Sequence, residues 1–414
     1  MKARGRFGRK AASIVGILAM LLGMMIISGC WDLRHLDRLS VVMAMGIDDD
    51  PTGKQKMRVT MQTVLAQNAA SGNKLAVEGM SVMTFTETGD TVFEAIRKMT
   101  RKTSRRLFFS HTRLLIIGED AARKGVYPLL DLIERNPDIR LNIAVMIARG
   151  TSAEKLLQTT TLMDSIPANQ IHDTLDINQS AQGQEYLVKV NDITRNAMAG
   201  KQQVAVPSLV LEGEQSAGND EENMKHIHPK VEPKLSTMAI LKDGRFVGYL
   251  TTKQSRGLSW TQNKVKSTVV KLDCPRSEGN FIVEVYHSKA KMKAEKPKYG
   301  ESQKPVIHVD LEVKGSIKEI MCTDLGVKEE SQLEEAGKLM DAAVGDEVQD
   351  AIRRLQKELN SDAMGWGMLV YQEQPSLWKQ IGGRWTELFP DVSYVLKVKT
   401  DITDSGVRVN SIVK

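Results

Sequence analysis

The sequence is poor in cysteine and in aromatic residues: among 414 residues there are three cysteines, and Phe, Trp and Tyr together make up 5%. Three cysteines are too few for the disulfide framework that stabilises a small secreted domain. Cys274 and Cys322 could form one disulfide in an oxidising compartment, but we expect two small, buried or partly buried side chains without a bridge. Cys30 has a different setting, directly after an apolar segment.

The motifs of the common enzyme classes are also absent. The chain has no Gly-x-Ser-x-Gly elbow, no Walker A loop, no His-Glu-x-x-His and no Cys-x-x-Cys. His226 and His228 lack the further ligands that a metal site needs, so we expect two solvated loop histidines. His111 has no recognisable nucleophile or orienting carboxylate, so we expect a hydrogen-bonded residue at a strand edge. The sequence therefore predicts no catalytic residue, no cofactor and no bound metal.

Acidic residues are missing from the first 29 positions, which hold five of the 57 Lys and Arg residues of the chain. The rest of the chain has 52 Lys and Arg residues and 51 Asp and Glu residues, so the net charge of +6 falls to +1 without this leader. The charge that would favour a nucleic-acid partner thus belongs to the leader, and we expect no such partner. A second basic cluster, Arg97–Arg106, has six cations in ten residues. It is predicted to be a solvated helix face, with anionic lipid headgroups as the alternative contact.

The leader has the features of an export signal. Residues 4–10 are basic, residues 11–28 form an uncharged apolar run, and Ile27-Ser28-Gly29-Cys30 follows at its outer end. An ordinary secretory signal and a retained membrane helix are two interpretations. A bacterial lipoprotein signal fits best, because an aliphatic residue, two small residues and a cysteine form a lipobox. Residues 1–29 would be removed and Cys30 would be acylated, which anchors the body to the outer face of a membrane.

Hydrophobic periodicity in the rest of the chain predicts both strands and helices, hence an α+β or mixed α/β fold with mixed β-sheets and amphipathic helices. Residues 39–47 and 57–65 alternate and predict a hairpin. Asp90 or Thr91 is expected to cap a short helix. A long helix is predicted near residues 331–360, and a second amphipathic helix at residues 376–388. Strands at 393–400 and 407–413 are expected to end the chain.

Composition separates a signal peptide from the body and places the main boundary of the body in the polar stretch at residues 212–234. A three-domain body is what the family resemblance given below implies. We expect an N-terminal α/β domain at residues 30–200, a polar linker at 201–234, a middle domain at 235–304 and a C-terminal α/β domain at 305–414. The lysine-rich end of the middle domain, residues 289–304, is predicted to be an extended loop.

Several segments, taken in order, resemble the Ger(x)C family. The start of the chain is similar in Gly29-Cys30-Trp31-Asp32 and Gly46-Ile47-Asp48. His35 and Asp37 depart from the pattern, since the family often has Glu there. Met364-Gly365-Trp366-Gly367 stands where the family usually carries a Phe-Gly-Phe-Gly-like stretch. The other similar segments are Arg105–His111, Ile116–Glu119, Pro137–Leu141, Phe246–Leu250, Arg256–Trp260, Pro375–Trp378 and Trp385–Pro390.

The resemblance implies the lipoprotein C subunit of a nutrient germinant receptor from a spore-forming bacterium. Such a subunit would be anchored through Cys30 at the outer face of the spore inner membrane. Its partners would be membrane-embedded A and B subunits, and it would catalyse no reaction. Two other classes remain as alternatives: a solute-binding lipoprotein of a transporter, which would have two doubly wound lobes around a cleft, and an exported hydrolase, which would need a triad or a metal.

Overall fold

The structure is a computed structural model that describes Gly16 and residues 39–65, 80–219, 221–225, 227–297, 304–323 and 330–404. These residues fold around two mixed β-sheets, one of nine strands and one of four, with helices on their faces. The expected mixed α/β class is confirmed. The strand predicted at residues 407–413 lies outside the described residues.

The first sheet combines antiparallel pairs with a central parallel block. Its strands follow the order β3-β2-β1-β5-β6-β7-β8-β9, and β4 pairs with β1. The block β1, β5, β6 and β7 is parallel. The pairing of β1 with β2 confirms the predicted hairpin. The strands are β1 (Leu39–Asp49), β2 (Met57–Val64), β3 (Val82–Gly89), β4 (Arg106–Phe108), β5 (Leu114–Gly118), β6 (Ala144–Ala148), β7 (Ala205–Gly213), β8 (Val231–Lys242) and β9 (Arg245–Tyr249).

Helices cover both faces of this sheet. Leu115 and Ile117 of β5 point into one apolar cluster, whereas Leu114 and Ile116 point into the other. Because both faces are buried, β5 is a continuous apolar run and does not alternate. One face carries α1 (Val92–Met99), α2 (Glu119–Lys124), α3 (Tyr127–Arg135) and α6 (Val190–Ala199), and the other carries α4 (Ala153–Gln158) and α5 (Pro167–Ala181).

Residues 201–234, expected to be a linker, contain β7 and the start of β8. The two strands pair antiparallel, which satisfies their backbone polar groups within the sheet. Pro207 obscures the strand in the sequence, because proline donates no ladder hydrogen bond. It is accommodated at a register shift between Pro207 and Leu209. The polar connection between the strands is also anchored, since the buried Asn223 side chain donates to the Val231 carbonyl at 2.9 Å.

The expected middle domain, residues 235–304, is divided between the two sheets. Strands β8 and β9 pair around Asp243 and Gly244, whose φ angles of 50° and 74° match the predicted tight turn. This hairpin completes the first sheet. The following strands, β10 (Thr268–Asp273) and β11 (Asn280–Glu295), belong to the second.

The second sheet has the order β10-β11-β12-β13, with β12 at Val306–Ile320 and β13 at Ser393–Asp404. Its first three strands are antiparallel, whereas β13 runs parallel to β12. The prediction of an extended loop at residues 289–304 is wrong for residues 289–295, which belong to β11. Lys289, Lys291 and Lys293 are exposed while Ala290 and Ala294 are buried, which is the two-residue period of a strand.

The two halves meet where α7 (Thr252–Thr261) crosses α8 (Glu330–Arg353). Gly257 permits the close approach, because an added Cβ would lie 2.1 Å from the Glu347 carbonyl oxygen. Beside it the partly buried Arg256 guanidinium forms an ion pair with the buried Glu347 carboxylate. The Trp260 indole donates to the same carboxylate at 3.1 Å. The helix α8 continues through a π-helical turn, Arg354–Glu358, so the predicted long helix is confirmed.

The amphipathic helix predicted at residues 376–388 is interrupted. The structure has α9 (Trp366–Glu373), α10 (Pro375–Ile381) and α11 (Trp385–Leu388), with a 3₁₀ turn at Gly382–Arg384 between the last two. Two consecutive glycines, Gly382 and Gly383, explain the break, since glycine is a poor helix former. Trp385 is buried and its ring lies 5.6 Å from that of Trp378, as expected for an inward-facing aromatic stripe.

Cys274 and Cys322 form a disulfide, so the expectation of two unbridged cysteines was wrong. The bond joins the turn between β10 and β11 to the chain just after β12. The antiparallel pairing of these strands brings the two positions to the same end of the sheet, with Cα atoms 5.6 Å apart. Sequence separation hid this proximity, because the cysteines are 48 residues apart.

Replacing both bridged cysteines by alanine should lower the free energy of unfolding by about 2–4 kcal/mol. The cross-link restricts the unfolded chain, and a loop of this length gives an effect of that size. Chemical denaturation of the wild type and of the Cys274→Ala, Cys322→Ala double variant measures the difference. The wild type under reducing conditions is the matched control and should lose a similar amount. Equal stability of all three samples would contradict the expectation.

Candidate functional site

A crevice opens at the carboxyl ends of β1 and β5. At this point the strand order reverses, with β2 and β3 on one side of β1 and β5 to β7 on the other. In open α/β sheets, ligands bind in the crevice at such a reversal, outside the carboxyl ends of the strands. The cavity has a volume of about 540 Å³ and is lined by segments at residues 48–51, 118–120 and 150–155, together with Arg58 of β2. We call it the strand-end crevice.

Asp48 organises one wall of the strand-end crevice. Its carboxylate accepts hydrogen bonds from the backbone N–H groups of Ala153, at 2.8 Å, and Glu154, at 2.9 Å. These bonds satisfy two donors in the first turn of α4. A Cβ on Gly118 would lie 2.3 Å from Asp48 Oδ1, so the close approach of β5 requires glycine there. Burial raises the pKa of Asp48, and the two hydrogen bonds oppose that rise.

The lining of the strand-end crevice carries charges of both signs. Arg58 Nη1 donates to Glu154 at 2.8 Å, while the buried Arg58 Nε and Thr151 Oγ1 have no hydrogen-bond partner among the described residues. Tyr249 Oη donates to Glu119 Oε2 at 2.7 Å beside the opening. The crevice can therefore offer both donors and acceptors to a small polar molecule. Its five carboxylates are Asp48, Asp49, Glu119, Asp120 and Glu154, and its two cations are Arg58 and Lys155.

A second polar centre, which we call the Asp362 junction, joins the two halves of the molecule. The buried Asp362 carboxylate accepts hydrogen bonds from the backbone N–H groups of Gly365, Trp366 and Gly367, at 2.9, 2.9 and 2.6 Å. The Trp385 indole N–H adds a fourth bond at 2.9 Å. The Gly-Trp-Gly stretch noted in the sequence is thus a binding loop for a carboxylate of the same chain.

Both glycines of the Asp362 junction are required by close packing against the first half. A Cβ on Gly365, whose φ is 82°, would lie 2.9 Å from the Gln202 side chain, and one on Gly367 would lie 2.6 Å from the Lys201 carbonyl. The backbone of Asp362 also accepts from Gln203 N at 3.0 Å. Despite its four hydrogen bonds, burial raises the pKa of Asp362 to about 6.

The site residues expected from the sequence are not brought together. Cys30 and His226 lie outside the described residues. His228 is exposed. His111 is exposed at the end of β4, and its ring lies 5.8 Å from that of Phe108. Arg97 stacks on the exposed Phe93 ring at 4.9 Å, on the outer side of α1. The basic cluster predicted as one helix face is divided, because α1 ends at Met99 and Arg106 lies in β4.

The described part of the chain contains neither a metal-binding cluster nor a helix that could span a membrane. No group of three His, Cys, Asp or Glu side chains there could hold a metal ion. None of its helices combines the length and the apolar character needed to cross a membrane.

Sequence reasoning missed both polar centres, although each left a signal. Asp48 follows an apolar strand, and Gly118 ends another, which is the pattern of a crevice at strand ends. Asp362 precedes two glycines that flank a tryptophan. An acidic residue just before such a loop indicates a carboxylate that binds backbone N–H groups. Neither signal identifies the partner helix or strand, because that depends on the tertiary fold.

Replacing Asp48 by alanine should lower the free energy of unfolding by about 1–3 kcal/mol, because two buried N–H donors lose their acceptor. Asp49→Ala is the matched control. Its carboxylate accepts from the exposed Lys124 ammonium, so its loss should cost no more than about 0.5 kcal/mol. Urea denaturation of both variants tests the difference, and equal losses would contradict the assigned role of Asp48.

The stability contributed by Asp362 should depend on pH. Its pKa is 3.8 in the unfolded chain and about 6 in the folded chain, so folding takes up a proton between these values. The contribution is fully present below about pH 4 and is lost as the pH rises through about 6. The stability advantage of the wild type over Asp362→Asn should therefore shrink by about 2–3 kcal/mol from about pH 4 to about pH 7. Denaturation curves at both pH values measure it, and an advantage that grows with pH would refute this sign.

Two family models together match most of the chain. The spore germination protein N-terminal domain matches residues 32–211, and the spore germination B3/GerAC-like C-terminal domain matches residues 236–406.

Curated relatives are similar over nearly their whole length. Spore germination protein KC of Bacillus subtilis is 27% identical and aligns over 95% of this chain and 96% of its own. Spore germination protein B3 of the same bacterium is 23% identical over 96% and 99%. The crystal structure of the GerBC protein has the same fold, with a TM-score of 0.54 and 19% identity over 90% of this chain and 99% of that one. The chain belongs to the Ger(x)C family of spore germination proteins.

Proposed function

We propose that this chain is the lipid-anchored C subunit of a nutrient germinant receptor and acts in spore germination at the outer face of the spore inner membrane. The observation that carries the proposal is the match of both family domains, in order, behind a leader that ends in a lipobox cysteine. Membrane-embedded A and B subunits are its proposed partners. Cys30 is the proposed lipidation site.

The proposed role is non-enzymatic and depends on binding. The carboxylates that organise the two polar centres are occupied by contacts within the chain: Asp48 binds the start of α4, and Asp362 binds the loop at Gly365–Gly367. The ring of His111, the histidine that the sequence singled out, lies 5.8 Å from that of Phe108. These arrangements favour a body that presents surfaces to partner subunits.

The fold disfavours the solute-binding alternative. A solute-binding protein of that class needs two doubly wound lobes that close on a ligand. Among the described residues, the first sheet has a block of parallel strands that is covered by helices on both faces. In the second sheet β10, β11 and β12 are antiparallel neighbours, and their outer face carries exposed charged residues such as Lys291.

Replacing Cys30 by alanine should abolish lipidation and release the chain from the membrane fraction, because a thiol is required for acylation. Germination in response to the nutrient should fall toward that of a strain lacking the gene, since the tether sets the local concentration of the subunit beside its partners. Intact mass of the extracted chain, membrane fractionation and germination rate are the three measurements.

The double variant Cys274→Ala, Cys322→Ala is the control for the loss of a cysteine, and it should remain lipidated. Retention of the Cys30→Ala chain in the membrane with full germination would contradict the lipoprotein assignment. A deletion strain that germinates normally with every nutrient, in the absence of a second copy, would contradict the receptor role.

A further inference from the structure

We propose that the amino-terminal edge of the parallel strands lies against anionic lipid headgroups, so that the strand-end crevice faces away from the membrane. The surface consists of Arg101, Arg105, Arg106 and Arg140 with His111, and we call it the basic edge. The inference rests on the membrane attachment put forward under Proposed function, and it adds the orientation of the body and the lipid class that it contacts.

The path of the chain brings the basic edge close to the membrane. Only eight residues separate Cys30 from Leu39, the first residue of β1, so even a fully extended connection spans roughly 30 Å. Leu39 pairs with Arg106 in the register of β1 and β4. The chain therefore enters the body directly beside the basic edge, whichever conformation the connection adopts.

The charge of the basic edge is largely uncompensated. Residues 101–113 contain four arginines, one lysine and no acidic residue. Within the described part of the chain, Arg101, Arg105 and Arg140 have no ion pair, whereas Arg106 lies 3.8 Å from the Asp138 carboxylate. Asp138 also places Arg140 on the same edge, because its backbone carbonyl accepts from Ser110 Oγ at 3.1 Å. Arg101, Arg106, Arg140 and His111 are exposed.

The opposite end of the same strands carries the opposite charge. There the strand-end crevice has five carboxylates and two cations in its lining. The strand β1 has 11 residues and spans roughly 33 Å between the two ends. Electrostatic interactions between exposed charges are screened over about 8 Å at physiological salt. A negatively charged membrane surface would therefore attract the basic edge without repelling the crevice, and a tethered body would turn that edge toward it.

The lysines of β11 are a weaker candidate for this contact. In the second sheet Lys289 and Lys291 lie opposite Glu312 and Asp310 of β12, so carboxylates alternate with the lysines across the sheet face. Lys291 Nζ lies 3.6 Å from Glu312. This face offers a lower density of unpaired positive charge, and it supplies a control surface for the experiment.

Hydrogen exchange of the full lipidated chain in vesicles tests the orientation. The backbone N–H groups of His111 and Arg140 make no hydrogen bond within the described residues, so they report shielding by the surface. In vesicles of phosphatidylcholine mixed with phosphatidylglycerol, exchange in residues 109–111 and 140–141 should be at least several-fold slower than in phosphatidylcholine alone. High salt should abolish the difference, because the contact is electrostatic.

A charge-matched pair of variants separates this surface from net charge. The Arg101→Gln, Arg105→Gln, Arg106→Gln, Arg140→Gln variant should lose the shielding. The Lys289→Gln, Lys291→Gln, Lys293→Gln, Lys397→Gln variant removes the same charge from the second sheet and should keep it. Far-UV circular dichroism checks that both fold, and intact mass checks that both carry the lipid.

The outcomes distinguish the inference from the function on which it rests. Equal exchange in the two vesicle types, or loss of shielding only in the lysine variant, would overturn the orientation while leaving lipidation established by mass. Shielding that requires co-reconstituted A and B subunits and does not depend on the lipid composition would assign the basic edge to a protein partner. That result would also overturn the proposed orientation.

Discussion

Buried carboxylates that bind groups of the same chain hold this fold together. Glu347 is the clearest case: it accepts from the Arg256 guanidinium and the Trp260 indole where α7 crosses α8, and it joins the two halves of the molecule. A buried charge is tolerated only when its hydrogen bonds offset the cost of removing it from water. Removing either partner would leave the other charged and unpaired in the interior. This pair is one of the contacts that join the two halves, together with the Asp362 junction.

The same device recurs at the two polar centres. Asp48 binds the start of α4 and shapes the strand-end crevice, while Asp362 binds the loop that packs on Lys201 and Gln202. In each case glycine lies where a side chain would collide with a neighbour: Gly118 beside Asp48, and Gly365 and Gly367 against Gln202 and Lys201. Two segments that resemble the family, Gly46-Ile47-Asp48 and Ile116–Glu119, therefore meet at the strand-end crevice.

The local features of the fold could be predicted from the sequence, whereas the contacts between elements that are distant in sequence could not. Periodicity predicts the hairpin β1–β2 and the long helix α8. A capping residue predicts the start of α1, where Thr91 Oγ1 accepts from Glu94 N. Strand β7 could not be predicted, because its sequence contains Pro207. Its hydrogen bonds are supplied by the neighbouring strands β6 and β8, which only the tertiary fold brings together. The bridge between Cys274 and Cys322 depends on the register of β11 with β12, which no local pattern reveals. Prediction of the strand-end crevice likewise requires the order of the strands in the sheet, which the sequence does not reveal.

The parallel pairing of β13 with β12 has a consequence for the order of folding. Parallel neighbours need a long crossover, and here α8 to α11 lie between the end of β12 at Ile320 and the start of β13 at Ser393. Until β13 is available, β12 presents an unpaired edge along the residues from Val306 to Ser316 that later pair with it. Contacts between residues so distant in sequence form late, so the second sheet completes only after β13 has been made. If the chain is exported and tethered as proposed, it must be kept from pairing with its neighbours during that interval, and truncation before β13 would leave that edge permanently open.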